Sequence, residues 1–320
     1  MLKGKKILIT GGAGFIGSNL CDFFTHDNEV LCIDNLITGN KENINHLIGK
    51  DNFNFFETDI RNFEACVDIF KDVDIVFHQA ALGSVPRSVK NPLDSHAHNA
   101  SGFLNVIEAA RIRNVSRFVF ATSSSTYGDS KALPKVEGER GNLLSPYAVT
   151  KRLNELYADV YNRTYGLQYV GLRYFNVFGP NQNPNGAYAA VIPKFVKAII
   201  EGNNITVNGD GNQTRDFTYV DNVVLANLLA ATVSNQDALN CIYNIAYGEK
   251  ITINGLIEVI SEVLGELGFD NEVNVKYVDK RVGDIEHSYA SLEKAKKGLG
   301  YIPKVSLKEG MKKYLKNILC

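Results

Sequence analysis

Tyr147 and Lys151 are four residues apart in a segment that Ser145 and Pro146 open as a helix. Residues four apart lie on one helix face, so the phenol and the ammonium can act together. A phenol is a poor base at its ordinary pKa of about 10, and a neighbouring ammonium would lower that pKa. On an arbitrary helix such a pair is also typical of a solvated surface, so its interpretation depends on what precedes it.

A glycine-rich turn precedes it near the start of the chain, between an apolar strand pattern and a helical pattern. Gly11, Gly14 and Gly17 are spaced three apart. This spacing suits a tight turn, the close approach of a pyrophosphate and close packing of the helix on the strand. Amide groups at the helix start, with the positive end of its dipole, form an anion site. The turn therefore predicts a dinucleotide site.

Asp34 ends the second apolar run and narrows the choice of dinucleotide. A carboxylate there can accept hydrogen bonds from the adenosine ribose, whereas a 2′-phosphate would be repelled. We therefore predict NAD as the cofactor, and its positive nicotinamide ring would further favour a Tyr147 phenolate. A glycine turn in an α/β protein without a cofactor is the alternative interpretation.

Hydroxyl groups follow a later strand pattern. Thr122, Ser123, Ser124 and Ser125 come directly after the apolar run Phe118–Ala121. The run is therefore predicted at the carboxyl end of the sheet, where a ligand of this fold class binds. A turn whose hydroxyls bond only to their own backbone is the alternative.

Short apolar runs alternate with helical patterns through the first half of the chain. Strands are predicted at Lys6–Thr10, Val30–Ile33, Phe53–Glu57, Ile75–His78, Phe118–Ala121 and Tyr169–Arg173, and helices at Phe15–Phe24, Phe63–Phe70, Ala97–Arg113 and Tyr147–Tyr165. This order predicts an α/β fold with a doubly wound parallel (Rossmann) sheet over 1–179. Further helices are predicted at Ala189–Glu201, Asp221–Ser234, Ile253–Leu267 and Leu307–Ile318. They indicate a smaller mixed α/β substrate-binding lobe over 180–320, and the chain is free to cross between the two.

Composition excludes several classes of function. The chain has 320 residues and a net charge of −1, so it lacks the basic surface expected for binding nucleic acid or a membrane. No apolar run reaches the ~20 residues of a membrane span, and the chain enters a strand almost at once. The five cysteines are scattered, which predicts neither a metal site nor disulfides. We expect a cytoplasmic protein.

Several motifs together resemble the extended short-chain dehydrogenase/reductase superfamily, and within it the nucleotide-sugar 4-epimerases. They are TGGAGFIG at 10–17, Asp34-Asn35, Asp59-Ile60, HQAA at 78–81, SSSTYG at 123–128, Tyr147 with Lys151, RYFNVFGP at 173–180, RDFTYVDN at 215–222 and RVGD at 281–284. The stretches 81–92 and 183–195 resemble the bacterial epimerases of N-acetylated UDP-hexosamines, such as UDP-N-acetylglucosamine 4-epimerases. The resemblance covers nearly the whole chain.

The resemblance implies a role for each matching residue. The catalytic triad would be Ser123, Tyr147 and Lys151. NAD would be held by Gly11, Gly14, Phe15, Ile16, Gly17, Asp34, Asn35, Asp59, Ile60, Ala80, Ala81, Tyr147, Lys151 and Tyr174. The UDP-sugar would be held by Gly83, Ser84, Ser124, Ser125, Asn176, Ala190, Val191, Asn208, Arg215, Arg281, Asp284 and Ser288.

The implied activity is reversible 4-epimerisation of UDP-N-acetylhexosamines for surface polysaccharide, by a homodimer. Its interface would be a four-helix bundle of 97–113 and 147–165 from each subunit. Ser288 stands where a small side chain leaves room for an N-acetyl group and a tyrosine would crowd it. Arg215 and Arg281 suit a diphosphate because arginine pairs with phosphate in a fixed, bidentate geometry. Surface ion pairs are the alternative interpretation of these two residues.

Other activities remain open at this point. UDP-glucose/UDP-galactose and UDP-uronate 4-epimerases share the motifs, and an NAD(P)H-dependent nucleotide-sugar reductase shares the triad. A non-catalytic NAD-binding sensor would be expected to lose the triad. A 4,6-dehydratase is disfavoured, because Ser124, Ser125 and Thr126 provide no carboxylate for water elimination.

Overall fold

The computed structural model describes residues 2–184, 190–269, 273–280 and 286–319. Its strands are β1 Lys6–Thr10, β2 Glu29–Asp34, β3 Phe53–Glu57, β4 Ile75–His78, β5 Arg117–Ser123, β6 Tyr169–Tyr174, β7 Val177–Phe178, β8 Ile205–Asn208, β9 Thr214–Arg215, β10 Thr218–Tyr219, β11 Cys241–Ile245, β12 Ile251–Thr252 and β13 Val275–Val278. Its helices are α1 Phe15–Thr25, α2 Phe63–Val67, α3 Val85–Lys90, α4 Pro92–His96, α5 Gly102–Ile112, α6 Pro146–Tyr165, α7 Val191–Ile200, α8 Val220–Thr232, α9 Ile253–Glu266, α10 Glu293–Leu299 and α11 Leu307–Leu319.

Seven strands form one sheet in the spatial order β3-β2-β1-β4-β5-β6-β11, and every neighbouring pair is parallel. Buried aliphatic and aromatic side chains cover both faces, with α1 and α8 packed on one and α2, α5 and α6 on the other. Strands buried on both faces need continuous apolar runs, which is the pattern in the sequence. The predicted doubly wound α/β sheet is confirmed.

The sheet draws its last strand from late in the chain. β11 pairs with β6 from Cys241↔Val170 to Ile245↔Tyr174, although it lies well beyond residue 179. A second cluster of buried residues joins α7, α9 and α11 to the short strands β8 and β10. Parallel pairing needs only adjacency in space, so the chain can leave the sheet and return to it.

Helix α6 carries Tyr147 and Lys151 and has defined ends. The Ser145 hydroxyl accepts a hydrogen bond from the Ala148 amide, and Pro146 occupies the first turn, where its missing N–H costs nothing. Gly166 ends the helix with φ of 74°, a left-handed conformation that glycine adopts readily. The Ser88 hydroxyl of α3 also accepts from the Tyr147 amide at 3.0 Å, which fixes the helix start.

Two predicted helices differ from the structure. The segment at 97–113 begins as a π-helical turn, Ala97–Ser101, before α5, and α2 ends at Val67 rather than Phe70. Three further helices were not predicted from the sequence: α3 and α4, both of which begin near a proline, and α10. No helix among the described residues is long and apolar enough to cross a bilayer.

Candidate active site

The glycine-rich turn forms an open cradle between β1 and α1. Gly11 has φ of 69°, and a β-carbon added there would lie 2.7 Å from the Ala80 backbone. A β-carbon on Gly17 would overlap the Gly11 carbonyl oxygen. Gly14 caps α1 without a side-chain hydrogen bond, so amide groups of the first turn stay available to an anion. The cradle fits a dinucleotide pyrophosphate, with Phe15 and Ile16 in that first turn.

Asp34 lies at the end of β2 and holds the glycine-rich turn through hydrogen bonds. Its carboxylate accepts hydrogen bonds from the amides of Ala13 at 3.0 Å and Leu36 at 2.8 Å. Burial raises the pKa of Asp34, and these amide hydrogen bonds oppose the rise. Asp34 therefore ties the glycine-rich turn to the end of β2, and its binding of a ribose stays a prediction.

Asn35 and Asp59 lie together beside this cradle. The Asn35 amide donates to Asp59 at 2.9 Å, and Arg61 donates to the same carboxylate at 2.7 Å. Hydrogen bonds from Arg61 hold the pKa of Asp59 well below its usual range. Ile60 follows Asp59 and is buried. The residues predicted to bind the adenosine side of the cofactor are thus held in place by hydrogen bonds to one another and to Arg61.

Tyr147 faces Ser123 across the carboxyl end of the sheet. Burial raises the pKa of the Tyr147 phenol, and a hydrogen bond with Ser123 lowers it. Ser123 ends β5, and its hydroxyl also accepts from the Ser125 amide at 3.2 Å. The Lys151 ammonium does not offset the burial of Tyr147 in the protein alone, contrary to the prediction from their spacing. The protein without ligands therefore holds the phenol in its neutral form.

Lys151 is buried, with 2% of its surface exposed. Its ammonium donates to the Ala121 carbonyl at 3.0 Å, and burial lowers the pKa of the ammonium to about 8. Among the described residues no carboxylate is paired with it. The chain thus places an unneutralised cation beneath the edge of the sheet, where hydroxyl groups or an electron-rich ligand can complete its coordination.

A cavity of about 720 Å³ lies between α3, β7, α7 and β8. It collects seven predicted substrate residues: Gly83, Ser84, Asn176, Ala190, Val191, Asn208 and Arg215. The Asn176 amide donates to the Asp216 carbonyl at 3.1 Å, and Arg215 donates to the Thr214 carbonyl at 2.9 Å. Its walls are therefore fixed by hydrogen bonds before any ligand binds.

Of the remaining predicted residues, those that the structure describes do not line this cavity, and two lie outside the described residues. Ser124 and Ser125 form a 3₁₀ turn after β5, and Ser288 is buried with its amide bonded to the Thr214 carbonyl at 3.1 Å. Ala80 and Ala81 follow β4, and Tyr174 ends β6 with its hydroxyl accepting from Asn227 at 2.9 Å. Arg281 and Asp284 lie outside the described residues.

Four polar residues of the cavity wall were not predicted from the sequence: Gln182, Lys194, Thr206 and Gln213. Each lies close in sequence to a predicted substrate residue, and Gln213 is two residues before Arg215. Their proximity to a motif is the signal in the sequence that could have identified them as wall residues. The Gln213 amide donates to the Asn208 carbonyl at 2.7 Å, which a linear pattern does not reveal.

Residues 7–246 match the model of the NAD-dependent epimerase/dehydratase family. A putative UDP-glucose 4-epimerase of Methanocaldococcus jannaschii is 41% identical, over 96% of each chain. The UDP-N-acetylglucosamine 4-epimerase of Methanobrevibacter ruminantium M1, solved with UDP-N-acetylmuramic acid, superposes with a TM-score of 0.93 at 40% identity over 99% of each chain. The UDP-glucose 4-epimerase of Thermotoga maritima, solved with UDP-glucose, gives 0.90 at 37% identity over 98% of each.

The buried Lys151 ammonium predicts a pH-dependent stability. Its pKa of about 8 lies below the ordinary value of 10.5, so between these values the unfolded chain binds one more proton than the folded chain. The contribution of Lys151 to the stability of the protein should therefore rise with pH from about 8 to about 10.5. Below that window, Lys151→Met should raise the free energy of unfolding by about 3 kcal/mol.

Urea unfolding of the dinucleotide-free protein at pH 7, 9 and 10 measures this effect. The gain from Lys151→Met should shrink across the window, while the exposed control Lys50→Met should change little at any pH. A Lys151→Met variant less stable than the parent at pH 7 would contradict the burial cost assigned to the ammonium.

Proposed function

Because this chain belongs to the NAD-dependent epimerase/dehydratase family, we propose that it interconverts UDP-N-acetylglucosamine and UDP-N-acetylgalactosamine by inverting carbon 4 of the sugar. The comparisons support a nucleotide-sugar 4-epimerase. One observation carries the proposal: Ser123, Tyr147 and Lys151 lie at the carboxyl edge of the sheet that also holds the glycine cradle. A proton acceptor, a hydrogen-bonding hydroxyl and a cation beside a dinucleotide site suit reversible oxidation of an alcohol.

The residues Gly11, Gly14, Gly17 and Asp34 would hold NAD. When bound, NAD supplies the acceptor for the carbon 4 hydride and a positive charge beside the phenol. Tyr147 takes the proton of the sugar 4-hydroxyl and later returns it. The Ser123 hydroxyl, whose hydrogen bond lowers the pKa of Tyr147, would also hydrogen-bond to the oxygen on carbon 4 of the sugar.

Inversion requires the 4-keto sugar to turn over while its nucleotide stays bound. Arg215 of the described cavity and Arg281 would bind the diphosphate, since arginine pairs with phosphate strongly and in a fixed geometry. Asn208, Ala190 and Val191 would contact the uridine diphosphate. The sugar, held by fewer contacts, is then free to rotate about the diphosphate link.

An N-acetylated substrate is supported by small side chains around the proposed sugar site. Ser288 is buried and fixed to β9 through its amide, and Gly83 and Ser84 line the cavity. Ser124 and Ser125 provide hydroxyls for the acetamido group. The 40% identity to an enzyme named for UDP-N-acetylglucosamine agrees with this choice.

We also propose a homodimer through α6 and its neighbours α3 and α4. Val149, Leu156 and Val160 are each more than 40% exposed and share one face of α6, and Val89 and Leu93 are 63% and 83% exposed beside them. Pairing of this face between two subunits would place α6 in the interface, as the resemblance implies, with α3 and α4 beside it in place of the predicted helix at 97–113. A sedimentation-equilibrium mass of one subunit would contradict this proposal.

Assay of the purified protein on a panel of UDP-sugars tests the proposed function. Without added cofactor, it should convert UDP-N-acetylglucosamine to UDP-N-acetylgalactosamine faster than it converts UDP-glucose or UDP-glucuronate. Tyr147→Phe keeps the ring but removes the proton acceptor, so its rate should fall ~100- to 10,000-fold. Oxidation of the sugar at carbon 4 that requires added NAD(P)⁺ and yields no epimer would indicate a one-way oxidoreductase and contradict the proposal.

Ser288→Tyr tests the origin of substrate choice. A phenol forced into this packed site should cost about 1–3 kcal/mol for acetylated sugars. The ratio of kcat/KM for UDP-N-acetylglucosamine over UDP-glucose should therefore fall by roughly 5- to 150-fold. Ser288→Ala is the matched control and should keep the ratio of the parent. An unchanged ratio in Ser288→Tyr would show that other residues select the sugar.

A further inference from the structure

A buried ion pair lies directly behind the proposed triad and takes no part in the chemistry described above. Arg173 binds Glu155 through two parallel hydrogen bonds, Nε to Oε1 at 2.7 Å and NH2 to Oε2 at 2.8 Å. The side chains are 0% and 1% exposed. A fork-to-fork pair of this kind fixes both partners in distance and in plane.

The pair joins the elements that carry the triad. Glu155 lies on α6, one turn after Lys151 and two turns after Tyr147. It also accepts a hydrogen bond at 2.9 Å from the Thr122 hydroxyl, and Thr122 immediately precedes Ser123 on β5. One carboxylate therefore fixes α6 to the strand that carries the third member of the triad.

Arg173 also has contacts with residues other than Glu155. Arg173 lies opposite Thr122 in the register of β5 and β6, and it also donates to the Glu137 carbonyl at 3.1 Å. Its guanidinium lies 4.9 Å from the centre of the Tyr127 ring. The Tyr127 hydroxyl donates to Asn244 of β11 at 2.7 Å. The network thus runs from α6 through β5 and β6 to the last strand of the sheet.

Both groups stay charged in this buried setting. Burial alone would raise the pKa of Glu155, but the hydrogen bonds and charge of Arg173 outweigh it, so the pKa lies below its usual value. Burial would lower the pKa of Arg173, and the bonds to Glu155 more than compensate. Buried ion pairs can often be replaced by apolar residues without loss of stability. Stability alone therefore does not account for this pair.

We propose that Glu155 and Arg173 are positioning residues, which set the distance between the Tyr147 phenol and the Ser123 hydroxyl by clamping α6 to β5 and β6. The proposal rests on the proposed function, because it assigns those two groups to proton transfer. Loss of the clamp lets α6 shift along the sheet, and a displacement of about 1 Å at a reacting group can lower a rate by about 100-fold.

Three variants separate positioning from support of the fold. Glu155→Gln leaves a buried arginine without its counter-ion and should lower Tm strongly. The double variant Glu155→Met/Arg173→Met removes both charges and should recover most of that Tm. The matched control Arg152→Gln removes a guanidinium that is 27% exposed and bonds the same carboxylate at 2.9 Å, and it leaves the buried pair intact.

The double variant should keep KM within about twofold while kcat falls roughly 10- to 100-fold, as expected for loss of transition-state alignment. The alkaline shift of its pH–kcat profile should report a raised pKa of Tyr147. Arg152→Gln should retain the kcat and profile of the parent. A double variant that regains both Tm and kcat would overturn the proposal and leave the pair a structural role only.

Two variants of Thr122 test the same proposal if the double variant does not fold. Thr122→Val removes only the hydroxyl that bonds Glu155, and Thr122→Ser restores a hydroxyl at the same place. Positioning predicts a lower kcat with nearly unchanged Tm for the valine variant, and recovery for the serine variant. Equal kcat in both variants and the parent would overturn the clamp.

A direct titration separates this proposal from the proposed function. Ultraviolet difference spectra between each NAD-loaded protein and its own Tyr147→Phe derivative follow the phenol without any sugar. A higher phenol pKa in the double variant supports positioning even if no UDP-sugar in the panel is turned over. An identical pKa in the parent and the double variant overturns positioning, even if the parent proves an active epimerase.

Discussion

Every strand of the main sheet runs in the same direction, and this constraint decides where chemistry can occur. All carboxyl ends meet at one edge, so residues far apart in the chain become neighbours there. The glycine cradle follows β1, Ser123 ends β5, and Asn176 follows β6. Each is held by a strand buried on both faces, which limits how far it can move.

Burial at this edge makes the site electrostatically incomplete without ligands. The pKa of Lys151 is lowered to about 8 and that of Tyr147 is raised, and both shifts oppose the ammonium–phenolate pair that proton abstraction needs. A ligand that brings positive charge to this edge would lower the pKa of the Tyr147 phenol. Under the proposed function, Tyr147 would become the proton acceptor once the cofactor is bound.

The buried Glu155–Arg173 ion pair holds α6, which carries Tyr147 and Lys151, against the sheet. Removing one partner of such a pair typically costs about 3–5 kcal/mol, because the other charge remains buried. The pair therefore resists any movement of α6 that would separate the two groups. A base that is activated only on binding needs a fixed distance to its partner, and this network supplies one behind the reacting groups.

Local sequence patterns predicted much of this arrangement. Glycine spacing, apolar runs and the four-residue separation of Tyr147 and Lys151 are short-range signals that backbone geometry imposes, and they located the cradle, six strands of the sheet and helix α6. Long-range contacts could not be predicted this way. Three features depend on the assembled fold: the return of β11 to the sheet, the hydrogen bond that the Tyr147 amide donates to Ser88, and the ion pair of Glu155 with Arg173.

The most direct test of the account follows the hydrogen at carbon 4. UDP-N-acetylglucosamine carrying deuterium at that carbon is incubated with the purified protein in ordinary water, without added cofactor, and the product is examined by mass spectrometry and NMR. If the same hydrogen leaves and returns within one active site, UDP-N-acetylgalactosamine keeps the deuterium at carbon 4. Product that has lost the deuterium to water, or no product until a nicotinamide cofactor is added, would contradict the account.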